Sequence, residues 1–367
     1  MPLAVDNWAL GRRSHGVQAP LLEAMAGMAS LDLRGIISDV NADIADYRAL
    51  NLPLLVLPAA AKASRLPGLA ARLLPARRRL ARSAGMNGRL VHVTMWSPWD
   101  LFYLPVAKRA GAKVLLTVHD VMLHPGEEHW LKQAAWDKVI RLADHVAVLT
   151  RHVADELAGR GLSAKPVHIV PNGLLTTAGP LLAPRSFPAG RPLRLLFFGR
   201  IIHYKGLDLL LDAVAKLRRE GTQIHLTIAG GGDYAPYRAR IDALDCVSVF
   251  DGWISVEDKN RLFAENDVNM LPYREASQSG NAIDGLYAAM PSIATRTGGL
   301  VEQLGDGRDT IFTPTISAAD IAQAVRVLAS DPPLFERLSA GARASATNRG
   351  AGRAAEDWAA LYREIAP

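Results

Sequence analysis

Short β-rich runs alternate with helix-like stretches along the whole chain, and this alternation constrains the fold more than any other feature. The runs in the first half are RLVHVTM, KVLLTVH, HVAVL and VHIV, and those in the second half are RLLFF, IHLTIA, VSVF, VNML and SIAT. Strands and helices that alternate at this spacing imply parallel sheets with helices on both faces. The stretch 176–192 contains four prolines and is typical of a linker between two domains.

The sequence therefore predicts an α/β protein with two Rossmann-like domains that face each other across a cleft. We assign the N-terminal domain to 1–182 and the C-terminal domain to 183–350. We expect 351–367 to form a helix that packs back on the N-terminal domain. In open sheets of this kind, ligands bind beyond the carboxyl ends of the strands.

Composition excludes several other classes of protein. With 49% apolar and 21% charged residues, the chain of 367 residues has ample material for two buried cores. Cys246 is the only cysteine, which rules out an intramolecular disulfide and suits a reducing cytosol. Residues 1–13 lack the pattern of a signal peptide, and the longest apolar run, 52–61, is only about half a membrane span. We therefore expect a cytoplasmic protein without a transmembrane helix.

The net charge of +6 arises from the first half, where residues 47–99 contain nine basic residues and no acidic one. Within this block, the stretch from Lys62 to Arg82 interleaves seven cations with leucines, which suits docking on an anionic membrane surface. Pro67 and Pro75 predict short pieces rather than one long amphipathic helix. The alternative is a solvated arginine-rich face whose leucines turn into the domain. Nucleic acid is disfavoured as a partner, because the stretch lacks aromatic residues for base stacking.

The segment LFFGRIIHYKGLD (196–208) combines a buried strand, a glycine turn and two cations. The backbone turns at Gly199, Arg200 follows at the carboxyl end of the strand, and Lys205 precedes the next helix. Two cations and a helix N-terminus that converge on one point favour a diphosphate site. The alternative is an ordinary tight turn with two solvated cations.

A second segment, 273–291, predicts the start of another helix at Ser279, Gly280 and Asn281. The backbone N–H groups at such a start are available to an anion. Asp284 lies one helical step deeper, where its carboxylate can accept hydrogen bonds from ribose hydroxyls. The alternative is a helix cap followed by an acidic first-turn residue, which is a common arrangement.

Together these segments resemble the family 4 retaining glycosyltransferases of the GT-B fold. The resemblance rests on FFGRIIHYKGLDLLLDA, TIAGGG and the block from SQSG to GGLVE, with weaker support from TVHDVMLHPGE and VPNGL in the first half. It implies a nucleotide-diphosphate sugar as donor, bound mainly by the C-terminal domain, and no cofactor. We expect no metal requirement, since the sequence shows no metal-binding constellation and the two cations of 196–208 would take a metal's place.

By matching positions, the resemblance also implies roles for single residues. Arg200 and Lys205 would neutralise the departing diphosphate, while the backbone at 279–281 would support the phosphates and the sugar. Asp284 falls where the family has the second, ribose-binding glutamate of its E-x7-E pattern. The first glutamate would fall at Ala276, so either a shifted loop lets the neighbouring Glu275 serve as the catalytic-site carboxylate or the sugar contact is made otherwise.

Other candidate site residues lie at the ends of strands or in glycine-rich loops. His119 resembles the family histidine that contacts the donor sugar, although a lone histidine at a strand end is commonly structural. Asp120 and His124 follow it and are candidates for the acceptor site. Gly230 would let the nucleotide approach closely or simply turn the chain, and Gly16 corresponds to the family's N-terminal glycine loop.

The predicted reaction moves a hexose to an acceptor hydroxyl with retention at the anomeric carbon. We expect a lipid-linked saccharide as acceptor, in bacterial polysaccharide or glycolipid assembly at the inner face of the cytoplasmic membrane. A dinucleotide-dependent oxidoreductase is disfavoured because the N-terminus lacks G-x-G-x-x-G. A nucleotide-sugar epimerase remains open, since fold does not determine the reaction. A non-catalytic membrane-associated scaffold also remains open, because position 276 has no carboxylate.

Overall fold

A computed structural model describes residues 2–12, 18–60, 66–83, 88–123, 129–171 and 181–366. Its internal contacts divide the chain into two compact units. The first unit comprises Met1–Thr176 together with Ala351–Pro367, and the second comprises Thr177–Gly350. The division therefore falls a few residues before the boundary expected from the sequence, within the same proline-rich stretch.

The first unit is built on a parallel sheet of seven strands in the order β3-β2-β1-β4-β5-β6-β7. Its strands are β1 (Leu3–Ala9), β2 (Leu31–Ser38), β3 (Leu54–Leu57), β4 (Leu90–Val93), β5 (Lys113–Val118), β6 (His145–Val148) and β7 (Val167–Ile169). Its helices are α1 (Gln18–Ala26), α2 (Ile44–Ala49), α3 (Leu66–Arg82), α4 (Asp100–Arg109), α5 (Trp130–Leu142), α6 (Arg151–Gly159) and a C-terminal helix (Ala351–Ile365). Most residues of the strands are buried, as expected for a sheet covered on both faces.

The C-terminal helix completes the core on one face of this sheet. It packs beside α1, and the side chains of Trp358 and Tyr362 are buried there. The Tyr362 hydroxyl lies 2.6 Å from Nδ1 of His92 in β4, and the other ring nitrogen of His92 lies 2.7 Å from the Thr117 hydroxyl. Burial, and then the nearby His119, lower the pKa of His92 to about 3, so the ring is neutral at physiological pH.

The helix α3 corrects one prediction from the sequence. Residues 66–82 form one helix of 17 residues although Pro75 lies inside it. Leu69, Ala76 and Leu80 are buried on both sides of the proline, so tertiary packing outweighs the hydrogen bond that Pro75 removes. Leu74, by contrast, is 56% exposed. The first part of the predicted docking stretch, 62–65, lies outside the described residues.

The second unit is built on a parallel sheet of six strands in the order β10-β9-β8-β11-β12-β13. Its strands are β8 (Leu193–Phe198), β9 (Ile224–Gly230), β10 (Val247–Asp251), β11 (Val268–Leu271), β12 (Ser292–Thr295) and β13 (Thr310–Thr313). Its helices are α7 (Leu207–Arg219), α8 (Arg238–Asp242), α9 (Val256–Glu265), α10 (Gly280–Tyr287), α11 (Leu300–Gln303), α12 (Ala318–Ser330) and α13 (Pro332–Thr347), with short 3₁₀ helices at His203–Lys205 and Ala235–Tyr237.

The strand order of the second sheet reverses at β8, which has β9 on one side and β11 on the other. A reversal of this kind opens a crevice at the carboxyl ends of the two strands that flank it, and ligands of α/β sheets bind there. The prediction of an α/β protein with two Rossmann-like units is confirmed. Within the described part of the chain, the helices are all too short or too polar to cross a lipid bilayer.

We predict that Tyr362→Phe destabilises the first unit by about 1–3 kcal/mol, because a buried polar partner of His92 is lost. Urea denaturation at pH 7 measures the change. Tyr237→Phe is the control, since this tyrosine is buried in the second unit and its hydroxyl has no hydrogen-bond partner among the described residues. Equal stability of Tyr362→Phe and the parent protein would contradict the prediction.

Candidate active site

The carboxyl end of β8 is the centre of the candidate site. The chain leaves the strand at Gly199, which has φ +104° and donates its N–H to the Ala229 carbonyl at 2.8 Å. Arg200 comes next and is exposed. The chain then enters the 3₁₀ helix that ends at Lys205 and begins α7 directly afterwards. Both cations predicted for a diphosphate site therefore stand at the crevice of the second sheet.

Lys205 is a buried cation at this crevice, with only 8% of the residue exposed. A Cβ on Gly199 would lie 2.6 Å from Nζ of Lys205 and 3.0 Å from Nδ2 of Asn281. Both nitrogens therefore lie where a side chain at position 199 would be. The ammonium is 5.2 Å from the centroid of the Tyr273 ring. Burial, and then repulsion by Arg200, lower the pKa of Lys205 to about 7. The negative charge of an anion bound here would oppose both effects and raise the pKa of Lys205.

Two glycines permit the backbone segments around Lys205 to approach one another closely. A Cβ on Gly230, where φ is +143°, would lie 2.0 Å from the Gly199 carbonyl oxygen. A Cβ on Gly206, where φ is +70°, would lie 2.0 Å from the Pro272 carbonyl oxygen. Neither position accepts a side chain without a backbone shift. The predicted site residue Gly230 therefore serves the packing of the strand ends.

An ion pair that the sequence analysis missed fastens the same segments. Arg274 donates two hydrogen bonds to the carboxylate of Asp208, at 2.9 and 2.6 Å, and its own N–H to the Tyr204 carbonyl at 2.7 Å. Burial is the largest single influence on Asp208 and raises its pKa. The hydrogen bonds and charge of Arg274 outweigh it, together with backbone hydrogen bonds, so the pKa of Asp208 is lowered. The two residues are 66 positions apart, and no motif joined them in the sequence.

The start of α10 brings three predicted residues to the same place. Ser279 caps the helix, because its hydroxyl accepts the N–H of Ala282 at 3.3 Å. Asn281 donates through Nδ2 to the Phe198 carbonyl at 2.6 Å, which ties α10 to the end of β8. Gly280 opens the helix, and its missing Cβ would meet nothing within 4 Å. The arrangement leaves open space at a positive helix end beside Lys205.

The predicted ribose carboxylate is engaged in an ion pair. Asp284 is buried in α10, and its Oδ1 accepts from Nζ of Lys259 in α9 at 2.9 Å. The side chains are only 9% and 12% exposed, respectively. The sequence analysis did not identify Lys259, which lies 25 positions away on a helix without a motif.

The two candidates for the first carboxylate position differ in exposure. Glu275 is exposed, and it forms no ion pair with any described residue. Ala276 is buried, and its carbonyl accepts the N–H of Gly299 at 2.7 Å. The loop is therefore held at position 276 by its backbone, with the carboxylate of Glu275 beside it in solvent.

His119 and Asp120 belong to the first unit and follow β5. Nε2 of His119 lies 2.8 Å from the Thr94 carbonyl, which can only accept, so Nε2 carries the proton and Nδ1 keeps a lone pair. Burial lowers the pKa of His119, against smaller opposing effects of the Thr94 carbonyl and Asp120. The Asp120 carbonyl accepts from the Trp136 indole at 3.0 Å. The predicted residues Gly16 and His124 lie outside the described residues.

Two family models match this chain, one in each unit. The model for Glycosyltransferase Family 4 matches residues 32–177, and the model for Glycosyl transferases group 1 matches residues 192–331. The chain belongs to the family 4 glycosyltransferases. The two models together cover more than three quarters of this glycosyltransferase, including every described residue of the candidate site.

The curated relatives of this glycosyltransferase are also sugar transferases. It is 27% identical over 269 residues to 2-deoxystreptamine glucosyltransferase of Streptomyces kanamyceticus, which covers 66% of this chain and 68% of that protein. It is 27% identical to D-inositol 3-phosphate glycosyltransferase of Arthrobacter sp. (strain FB24), with 66% and 62% covered. The corresponding alignment with glycogen synthase of Mycobacterium tuberculosis covers 57% and 51%. The matches thus span about half to two thirds of these relatives.

Solved structures confirm the GT-B fold over nearly the whole chain. The Anabaena protein HepE in complex with UDP and glucose has a TM-score of 0.76 at 14% identity, with 99% of this chain and 100% of that chain covered. A glycosyltransferase from Rickettsia africae has a TM-score of 0.72 at 16% identity, with 99% and 98% covered. Sucrose-phosphate synthase from Thermosynechococcus elongatus has a TM-score of 0.73 at 19% identity, with 99% of both chains covered.

We predict that Lys205→Met stabilises the protein more at pH 7 than at pH 9. The pKa of Lys205 falls from 10.5 to about 7 on folding, so the folded state binds fewer protons than the unfolded state between these values. The stability of the parent protein therefore rises with pH in this window, and the advantage of the methionine variant shrinks by about 2 kcal/mol from pH 7 to pH 9. Urea denaturation at both pH values measures it. Lys216→Met, at a half-buried position on α7, is the control, and a pH-independent advantage for Lys205→Met would refute the prediction.

Proposed function

We propose that this chain is a retaining, metal-independent glycosyltransferase that uses a nucleotide-diphosphate sugar as donor. One observation carries the proposal: the buried Lys205 lies against Gly199, next to the exposed Arg200 and the amide of Asn281. A buried ammonium with no carboxylate partner among the described residues is costly unless an anion joins it. A diphosphate has the charge and the size to do so.

In the proposed reaction, the bond between the anomeric carbon and the diphosphate oxygen breaks as a bond to the acceptor oxygen forms on the same face. The acceptor proton moves to the departing diphosphate. Negative charge grows on the diphosphate during this step, and Lys205 and Arg200 stabilise it. Lys205 is buried, so its stabilisation of this charge is larger than it would be in solution. The bound diphosphate also keeps Lys205 protonated.

The surrounding residues are proposed to hold the remaining parts of the donor. The backbone at Gly280 and Asn281 supports the phosphates from the start of α10, and Asp284 accepts from the ribose. Glu275 is the candidate contact for the sugar hydroxyls. In the first unit, His119 at the end of β5 is proposed to contact the donor sugar. Asp120, which follows it, is proposed to face the acceptor.

The base of the nucleotide is proposed to bind near residues 252–255. A Cβ on Gly231 would lie 3.4 Å from the carbonyl of Gly252, so this loop adjoins the glycine run after β9. Trp253 in the same loop is 82% exposed. UDP is the first nucleotide to test, since the similar fold of HepE has been solved with UDP and with UDP-glucose.

The acceptor is proposed to be a lipid-linked saccharide at the inner face of a bacterial cytoplasmic membrane, in polysaccharide or glycolipid assembly. The support is the surface formed by α3 and α4. Arg78 and Arg82 are exposed on α3 beside Leu74. The Arg77 guanidinium lies 4.6 Å from the Phe102 ring centroid, so cations and apolar groups stand side by side. Anionic lipid attracts such a surface.

Loss of the diphosphate contacts tests the proposed function. Arg200→Ala and Lys205→Ala should each lower turnover with the nucleotide sugar, at a cost of about 2–4 kcal/mol to the barrier, because the contact strengthens as the leaving group gains charge. A thermal-shift screen of nucleotide sugars first identifies the donor, and hydrolysis or transfer is then measured with EDTA present. Arg218→Ala on α7 is the control. Turnover within twofold of the parent in both variants would overturn the proposed roles.

Co-sedimentation with liposomes tests the proposed membrane surface. The parent protein should bind vesicles that contain anionic lipid, and the bound fraction should fall with salt. Arg78→Glu with Arg82→Glu should weaken binding about tenfold or more, since each cation near the surface contributes about 1 kcal/mol. The same change at Arg219 and Arg240, both exposed in the second unit, is the control. A parent protein that ignores anionic vesicles at low salt would favour a soluble acceptor.

A further inference from the structure

The buried ion pair between Lys259 and Asp284 stands at the ligand-binding edge of the second sheet. A helix that follows a strand in a parallel sheet begins at the carboxyl end of that strand. Both α9 and α10 follow strands, and both residues lie within the first turn and a half of their helices. The pair is therefore close to the edge at which Gly199, Lys205 and the start of α10 assemble.

The position of Lys259 is fixed by the local structure of α9. Ser255 caps this helix, since its hydroxyl accepts the N–H of Asp258 at 3.0 Å. The N–H of Lys259 itself donates to the Ser255 carbonyl at 2.9 Å. A lysine on a rigid first turn, with a side chain only 12% exposed, is held far more tightly than a surface lysine. Its ammonium is thus directed to one place.

Stability alone gives little reason for such a pair. Removing two charges from water costs several kcal/mol, and a well-packed apolar pair of the same volume is commonly as stable or more stable. Aspartate is also one methylene shorter than the glutamate expected at position 284, and the lysine brings a second polar group to the same place. A pair that combines an acceptor with a donor matches a vicinal diol, whose hydroxyls both donate and accept.

We infer that Lys259 is a specificity-determining residue that recognises the ribose of the nucleotide together with Asp284. The carboxylate accepts from one ribose hydroxyl while it retains its ion pair, since a carboxylate has about four acceptor positions. The ammonium uses one donor for Asp284 and another for a ribose oxygen. The inference rests on the proposed function, because it assumes that a nucleoside diphosphate binds the second unit.

The test compares nucleotides that differ by one hydroxyl. Dissociation constants of UDP, GDP and their 2′-deoxy and 3′-deoxy forms are measured by calorimetry for the parent protein and for Lys259→Met. In the parent, at least one deoxy form should bind about tenfold or more weakly, because a buried polar group loses its partner. In Lys259→Met, UDP or GDP should bind more weakly, and the preference over the deoxy form that lacks the oxygen contacted by Lys259 should fall to within about twofold, while the preference that Asp284 confers remains.

Two further variants separate recognition from a merely structural role. Lys259→Arg retains a cation and its donors, so it should retain most of the preference for the ribose form, and it also serves if Lys259→Met fails to fold. Arg261→Met removes an exposed cation from the same helix and should leave every ratio unchanged.

Each outcome decides between distinct possibilities. If Lys259→Met weakens the ribose and deoxy forms by the same factor, Lys259 only braces α9 against α10 and the inference is overturned. If the parent protein binds neither UDP nor GDP nor any nucleotide of the thermal-shift screen, the proposed function fails together with the inference. A parent that binds UDP or GDP without any preference for ribose overturns the inference while the proposed function stands.

Discussion

A side chain at Gly206 or Gly230 would meet a backbone oxygen at 2.0 Å, and the candidate site depends on this close approach. At Gly230, the end of β9 packs against the turn after β8. At Gly206, the same turn packs against the segment after β11. The pair of Arg274 and Asp208 then fastens the turn. Because these backbone segments are close together, the side-chain nitrogens of Lys205 and Asn281 both lie beside Gly199.

Burial disfavours the charged form of Lys205, whose ammonium has no carboxylate partner among the described residues. Lys205 has an arginine as its strongest charged influence, and its pKa falls to about 7. Asp284 has the opposite surroundings, with a lysine 2.9 Å away. Among the described residues, the second unit thus presents one region in which Lys205 has no carboxylate partner and another in which Lys259 and Asp284 form an ion pair. A ligand with a diphosphate at one end and a ribose beside it is complementary to both regions.

Local sequence patterns predicted most of the fold and part of the site. The alternation of strands and helices indicated both sheets, and the strand–glycine–cation pattern identified Gly199, Arg200 and Lys205 because these residues are close in sequence. Contacts between distant positions were missed, as with Lys259 and Asp284, since neither residue belongs to a shared motif. The helix α3 was wrongly broken at Pro75 because the buried faces of Leu69 and Leu80 become visible only in the packed unit. The roles of the predicted residues remain predictions.

The C-terminal helix belongs to the first unit, although the second unit precedes it in the chain. The polypeptide therefore passes between the units twice. During synthesis, the first unit begins to form first, yet one face of its sheet is covered only in part, by α1 and α2, until Trp358 and Tyr362 have left the ribosome. All residues of the second unit are synthesised before the C-terminal helix, so the second unit can complete its core before the first unit does. A chain truncated just before Trp358 would therefore lose part of the core of the first unit, while every residue of the second unit would still be present.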